Sequence, residues 1–407
     1  MKISRARAFH ESVSPNTIVK VLTIHNKYQI RGGEDESCEA ESRLLVANGH
    51  EVSRLTFEND GITSLNASSA GLQAAWRHSS YKRVLDEIGT KRPDIVNVHN
   101  FFPVASPAVY YAARKCGVPV VQTLHNYRLL CPGAILFREG KVCEECIGKR
   151  VPWPGVAHGC YRNSRPATLA VTSMLAIHNL LGTWIRHVDM FIALSEFSRR
   201  KFIEGGLPEK RLTVKPNFLA SDPGSGSGAG NYVLYVGRLA EEKGLRTLID
   251  AWKAAACPGR LIIAGEGPLE SFVEGAASCF PSICFLGRKS TEQVYDLLAD
   301  ARALVFPSTW YEGMPRVIVE ALSHGTPVIA TRIGSMTEMI VEGRNGWLVP
   351  PGDVQELAAS IGNVFRFGGA MAGIRASARR DFEDKYTAER NYNLLMNIFR
   401  DVIARKN

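Results

Sequence analysis

Short, nearly continuous apolar runs alternate along this chain with amphipathic stretches of helical period. VKVLTIH (19–25) begins the series and opens on a loop carrying Gly32-Gly33, from which a helical pattern runs over 34–48. DIVNVHN (94–100), PVVQTLHN (119–126) and DMFIALS (189–195) follow, each preceded by helical periodicity. A second series starts with NYVLYVG (231–237) and continues through RLIIAG (260–265), ICFLG (283–287), ALVFPS (303–308) and PVIAT (327–331). Strands that are apolar on both faces and separated by helices predict parallel sheets covered on each side. Between the two series, SDPGSGSGAG (221–230) has the composition of a linker. The expected fold class is α/β: two doubly wound, Rossmann-like domains facing each other across a cleft. Their expected bounds are an irregular tail over 1–18, a first domain over 19–218, a linker over 219–230, and a second domain over 231–384. A C-terminal helix over 385–407 is expected to pack back on the first domain.

Length and composition agree with two such units. A chain of 407 residues is too long for one ordinary core, and 45% apolar with 22% charged residues excludes disordered and collagen-like chains. Charge changes the picture more. Residues 1–220 carry 29 Lys and Arg against 19 Asp and Glu, a net of +10, while the remainder carries 20 against 21. All the excess sits in the first half, which suggests an anionic partner there: phosphate, nucleic acid or a membrane surface. The first twenty residues hold Lys2, Arg5, Arg7, His10, Glu11 and Lys20 with no apolar core of a signal peptide, so a reducing, cytoplasmic setting is expected. The uncharged run over 166–185 contains His178, Asn179 and several Ser and Thr, too polar to span a membrane, and reads as a buried or interfacial helix.

Candidate chemistry concentrates at the strand-to-helix turns. The Gly32-Gly33 turn can aim backbone N–H groups at a phosphate, but it is no G-x-G-x-x-G fingerprint, which argues against a dinucleotide oxidoreductase. In the second series, Arg238 and Lys243 bracket the junction between the first strand and its helix, a place suited to a diphosphate. After ALVFPS comes Tyr311-Glu312-Gly313-Met314-Pro315, then a helix through Glu320, with seven residues between the two acids. Pro315 suits the first turn of that helix. A carboxylate in the apolar run 317–321 needs hydroxyl or cation partners, and the vicinal hydroxyls of a sugar or ribose would serve.

VGRLAEEKG, AGEGP, FLG, PSTWYEGMPRVIVEALSHGTPVIAT and NGWLVPPGD, in that order over about 231–353, resemble the donor half of retaining glycosyltransferases of the GT-B fold, family 4. The resemblance implies that the first domain is the acceptor side and that a nucleotide-diphospho-sugar binds mainly to the second. It implies that Arg238 and Lys243 hold the diphosphate, that Glu312 contacts the transferred sugar, and that Glu320 takes the ribose hydroxyls. The backbone around Gly313, Met314 and Pro315 would add contacts, Gly33 would approach the diphosphate, and the backbone near Arg288 would meet the base. His125, at a strand end in THNYR, matches a histidine that such enzymes often place near the reacting sugar. His99 is a weaker candidate for the acceptor, with a structural role as its alternative.

Two departures from the family pattern stand out. Pro216-Asn217-Phe218-Leu219 replaces the usual Pro-Asn-Gly-Val-Asp, and no D-x-D occurs, so cations rather than a divalent ion are expected to meet the diphosphate. No carboxylate nucleophile is identifiable, which favours front-face transfer over a glycosyl-enzyme intermediate. The expected activity is metal-independent hexosyl transfer to a saccharide or a polyprenyl-diphosphate-linked acceptor, building a surface polysaccharide. A sugar-nucleotide epimerase of the same fold and a zinc-containing nucleic-acid-binding protein are the alternatives. The latter is the weaker, since it leaves Glu312 and Glu320 unexplained; no nucleic-acid partner is expected.

Cys131, Cys143, Cys146 and Cys160 are spaced C-x11-C-x2-C-x13-C within 131–160, a knuckle flanked by two more thiols. The segment has little periodic core of its own, so a structural zinc on these four is expected, with His158 as an alternative to Cys160. Some bacterial family-4 enzymes carry a similar insertion. Lys149, Arg150, Trp153 and Arg162 add basic and aromatic character suited to peripheral contact with an anionic membrane.

Overall fold

The computed structural model describes residues 17–28, 32–59, 73–366 and 368–406; most of the tail expected over 1–18 lies outside the described residues. The first half contributes β1 (Lys20–Asn26), β2 (Glu51–Phe57), β3 (Ile95–Asn100), β4 (Val120–Leu124), the small antiparallel hairpin of β5 (Phe137–Arg138) and β6 (Lys141–Val142), β7 (Met190–Ala193) and β8 (Leu212–Val214). The second half contributes β9 (Tyr232–Val236), β10 (Arg260–Ala264), β11 (Ile283–Phe285), β12 (Ala303–Phe306), β13 (Val328–Thr331) and β14 (Gly346–Val349). Two six-stranded parallel sheets result, ordered β2-β1-β3-β4-β7-β8 and β11-β10-β9-β12-β13-β14.

Helices cover both faces of each sheet. Every residue of β3, β4 and β7 is buried, as strands sandwiched between helix layers must be. The order of each sheet reverses once, between β1 and β3 in the first and between β9 and β12 in the second. Ligands of doubly wound sheets bind at the carboxyl ends of the strands flanking such a reversal. In this chain those ends are Asn26, Asn100, Val236 and Phe306.

The C-terminal helix Ala388–Ala404 belongs to the first sheet's core. Leu395, Met396, Phe399 and Val402 pack with Val21, Ile95, Val121 and Ile192, each burial contributing roughly 1.5–3 kcal/mol. The chain therefore passes between the two units twice. The first passage is the stretch 215–219, where Phe218 and Leu219 are buried and the Leu219 N–H donates to the Tyr386 carbonyl at 3.2 Å. The Gly/Ser run beyond it is not a free tether. The N–H groups of Gly226, Gly228 and Gly230 donate to the carbonyls of His324, Ala299 and Asp300, each at 2.9 Å, so 226–230 is laid along the second domain.

Candidate active site

The second-domain half of the site grows from β9 and β12. After β9 the chain runs through Arg238 to a short 3-10 turn, Glu241–Lys243, which Gly244 ends at φ +72°. A Cβ on Gly244 would stand 2.0 Å from the Pro307 carbonyl oxygen, so only glycine lets this turn sit against the end of β12. That approach brings Lys243 Nζ to 2.6 Å from Glu312 Oε1. Ser308 Oγ (2.8 Å) and Trp310 Nε1 (2.7 Å) donate to the same oxygen, and Lys243 also lies 5.1 Å from the Trp310 ring centroid. Glu312, 7% exposed, is thus a buried carboxylate with one cation and two neutral donors on Oε1, as an ionised group away from water requires. Arg238 pairs with Glu242 but keeps its side chain 61% exposed, so its charge remains available to a ligand and the pair adds little to stability.

Gly313, Met314 and Pro315 lie where the two halves touch. Ser195 Oγ donates to the Gly313 carbonyl at 3.2 Å, and Asn217 Nδ2 to the Met314 carbonyl at 2.9 Å. A Cβ on Gly313 would lie 3.0 Å from the His125 carbonyl oxygen, so a larger residue would prise the strand end away from this loop. Pro315 caps the helix Arg316–Ser323 rather than lying in its first turn. Having no N–H, it shapes the turn and donates no hydrogen bond.

Arg316, absent from the sequence-based candidates, joins the halves. Its Nη2 is 3.8 Å from Glu320 Oε1, its Nη1 4.0 Å from Glu36 Oε2, and its Cδ 3.8 Å from where a Cβ of Gly33 would be. Nη1 is buried with no hydrogen-bond partner among the described residues. Burial raises the Glu320 carboxyl above its usual range; Arg316 opposes that shift and Glu36 adds to it. The only sequence signal for Arg316 is its position four residues before Glu320, one helical turn away. Arg288 follows Gly287, whose carbonyl accepts from the Gly265 N–H at 2.9 Å, and its exposed guanidinium pairs with Glu266 at 2.7 Å.

The first-domain half sits at the ends of β1, β3 and β4. His125 Nε2 is 2.9 Å from His99 Nδ1, and His99 Nε2 is 3.0 Å from Glu41 Oε1. Glu41 Oε2 pairs with Lys215 Nζ at 2.7 Å, and Lys215 reaches Asn391 of the C-terminal helix at 3.2 Å. Both ring nitrogens of the buried His99 are engaged, so it supports His125 and has none left for an acceptor. Burial, reinforced by His99 and His25, pushes the His125 imidazole well below its usual range, so it is neutral at physiological pH. Burial would also raise Glu41, but Lys215 and His99 outweigh it and hold the carboxyl well below the ordinary range. Beside them, Glu34 Oε2 accepts from Tyr28 (2.7 Å) and Asn126 (3.3 Å), while its Oε1 is buried and unpartnered among the described residues. Burial pushes this carboxyl up to about 7. Glu34, Glu41 and Lys215 escaped the sequence reading because charge on a helix or at a strand end ordinarily signifies a solvated face.

Cys131, Cys143, Cys146 and Cys160 are free thiols. A Cβ on Gly133 would lie 3.6 Å from both Cys131 Sγ and Cys160 Cβ. Burial first, then Cys131, Cys160 and Cys143, push the Cys146 thiol up to about 12. The four thus share one neighbourhood, yet among the described residues no group of three His, Cys, Asp or Glu side chains is placed to hold a metal ion.

Comparison with known proteins bears on the whole arrangement. The family model described as Glycosyltransferase Family 4 matches residues 31–222, and that described as Glycosyl transferases group 1 matches 230–366. The alpha-D-kanosaminyltransferase of Streptomyces kanamyceticus is 32% identical over 72% of this chain and 74% of its own. O-antigen chain mannosyltransferase C of Escherichia coli is 28% identical over 43% of this chain and 48% of its own. Among solved structures, Anabaena Alr3699/HepE in complex with UDP covers 93% of this chain and 99% of its own, at 20% identity and a TM-score of 0.65. With matching models on both halves and two doubly wound sheets meeting at their reversal points, the chain belongs to glycosyltransferase family 4 and has the GT-B fold.

Proposed function

We propose that this enzyme is a retaining glycosyltransferase that moves a sugar from a nucleotide-diphospho-sugar to a hydroxyl of a lipid-linked saccharide, with no catalytic metal. The observation that carries the reading is the cluster at the ends of β9 and β12: Lys243 on Glu312, Arg316 on Glu320, and Arg238 paired with Glu242 but largely exposed. Fixed cations beside two carboxylates suit a substrate with a diphosphate in the middle and hydroxyls at both ends. The relatives support the reading: the HepE structure contains UDP, and the Escherichia coli relative is named for the O-antigen chain. Neither the epimerase nor the nucleic-acid alternative gains an observation.

In the proposed reaction, Glu312 holds hydroxyls of the transferred sugar and Glu320 those of the ribose. The anomeric C–O bond breaks toward the diphosphate, whose growing charge Lys243, Arg238 and Arg316 offset. The acceptor hydroxyl attacks from the same face and gives its proton to the departing phosphate oxygen. Neutral His125, at the first-domain edge of the cleft, offers a ring nitrogen to a hydroxyl of the reacting sugar.

Thermal unfolding with UDP, GDP or ADP tests donor binding. A nucleotide at a hundred times its Kd should stabilise the binding unit by about 2.7 kcal/mol. Glu320→Ala should weaken that nucleotide roughly 10- to 100-fold, since a hydrogen bond to a charged group is worth about 1.5–3 kcal/mol. No shift with any of the three at millimolar concentration overturns the donor assignment. A structural zinc on Cys131, Cys143, Cys146 and Cys160 stays part of the proposal, resting on their spacing and shared neighbourhood. Metal analysis of reduced protein is expected to give about one equivalent per chain, and less than a tenth removes zinc from the account.

A further inference from the structure

The segment 146–188 contains no Asp or Glu, while it carries Lys149, Arg150, Arg162, Arg165 and Arg186. Most of it folds as the helix Arg165–Leu181 and the short helices Trp153–His158 and Thr183–His187 on either side. One face of that helix is core: Val171, Met174, Leu175 and His178 are buried. The opposite face should be polar on an ordinary surface helix, but it exposes Leu169, Ile177, Leu180 and Leu181. Ile185 continues the stripe after the helix ends. Val151 and Trp153 extend it sideways, because Asn179 Nδ2 donates to the Arg150 carbonyl at 3.1 Å and ties that turn to the helix end. Leu180 is 68% exposed and Trp153 62%. Isolated exposed apolar residues mean nothing, but here half of the fourteen large exposed apolar side chains among the described residues fall within 151–185. A cavity of about 430 Å³ opens at this face, lined by Lys149, Arg150, Leu180, Trp184, Ile185 and Leu207, among others.

We infer that this face docks the enzyme on an anionic phospholipid bilayer, with the helix Arg165–Leu181 lying along the interface and the cavity receiving a phosphate-bearing head group beside Lys149 and Arg150. The inference builds on the lipid-linked acceptor proposed above and names the surface that would meet its membrane. Three properties select a bilayer. The apolar stripe has basic residues before it, at its start and after it, the pairing of buried aliphatic area with phosphate attraction that interfacial helices use. Nucleic acid would meet the cations but leave Leu169, Ile177 and Leu180 wet. A second copy would bring two acid-free, five-cation segments together, which like charge opposes. No described helix is long and apolar enough to cross a membrane, so the contact is peripheral.

Co-sedimentation of the full chain with vesicles tests this without donor or acceptor. Binding to phosphatidylcholine vesicles containing phosphatidylglycerol is expected, and weaker binding to phosphatidylcholine alone. Each lost cation should reduce partition about fivefold, so Lys149→Ala with Arg150→Ala should reduce it about 25-fold. Leu180→Ser with Ile177→Ser should weaken binding to both vesicle types. All four side chains are outside the catalytic cluster, so turnover on a water-soluble acceptor should not change. Failure of wild-type protein to bind anionic vesicles, equal binding to both vesicle types, or a concentration-dependent dimer abolished by the leucine and isoleucine changes would each overturn the docking surface. Loss of transfer to every acceptor with vesicle binding intact would instead count against the proposed function and leave this surface standing.

Discussion

Lys243→Ala is expected to lower kcat by about 10²- to 10³-fold, the usual cost of deleting one preorganised group aimed at charge that develops in the transition state. Lys243 is suited to that task because its position is set twice over. Gly244 presses its backbone against Pro307, and Glu312 fixes its ammonium at 2.6 Å. A charge held in place before the donor arrives need not reorganise as the diphosphate departs. The effect on KM should be smaller, since on the proposed binding mode Arg238 and Arg316 would still meet the diphosphate in the ground state. Arginine should not rescue activity, because a planar fork cannot occupy the site of a compact ammonium under Trp310. The substitution also leaves Glu312 with only Ser308 and Trp310 on Oε1, so part of any loss could be unfolding. Thermal unfolding of the variant and its nucleotide affinity separate the two. A folded variant that binds nucleotide yet turns over slowly supports the assignment, and one with near-normal kcat refutes it.

How much was legible in the sequence follows from where each element lies in its sheet. The interior strands β3, β4, β7, β9, β10, β12 and β13 are apolar on both faces and can be read as continuous runs. In the two large sheets, the strands that escaped notice in that reading, β2, β8 and β14, are all edges. An edge strand has one neighbour and more solvent, as the largely exposed or half-buried EVSRLTF of β2 illustrates, so its pattern resembles a loop's. The glycine run 221–230 has a tether's composition, yet the N–H groups of Gly226, Gly228 and Gly230 are claimed by carbonyls seventy or more residues away.

The site divides in the same way. Lys243, Glu312 and Glu320 are recognisable because the motif carrying them is local and its spacing is kept. Glu41, His99 and Lys215 are separated by 58 and 116 residues, and only the fold brings them together. Arg316 falls between these cases: it stands within the motif, but its meeting with Glu36 depends on closure of the two halves.

Glu41→Gln should be the most destabilising conservative change in the first domain. The substitution keeps the shape of the side chain but leaves Lys215, 3% exposed, as a buried cation without its anion. Breaking such a pair on one side costs about 3–5 kcal/mol. The pH dependence has a definite sign. Because the folded carboxyl is held below its unfolded value, its contribution is complete above about pH 5 and falls as acid protonates it. The gap between wild type and variant should therefore narrow on acidification.

Catalysis should suffer separately from stability. An ionised Glu41 can only accept, so it requires the proton of His99 on Nε2. His99 Nδ1 then accepts from His125 Nε2–H, and His125 Nδ1 is left as that ring's acceptor, an assignment drawn from the hydrogen-bond chain. Glutamine can donate as well as accept and no longer enforces that order. The double variant Glu41→Leu with Lys215→Met isolates the effect. Replacing both members of a buried pair by apolar groups of similar size is often neutral or stabilising, so unfolding should return toward wild type. kcat should remain about tenfold or more below it with an altered pH profile, because neither ring is then fixed in its tautomer. Wild-type kcat and pH profile in the restored double variant would show that the chain from Glu41 to His125 holds the fold together and does nothing for the reaction.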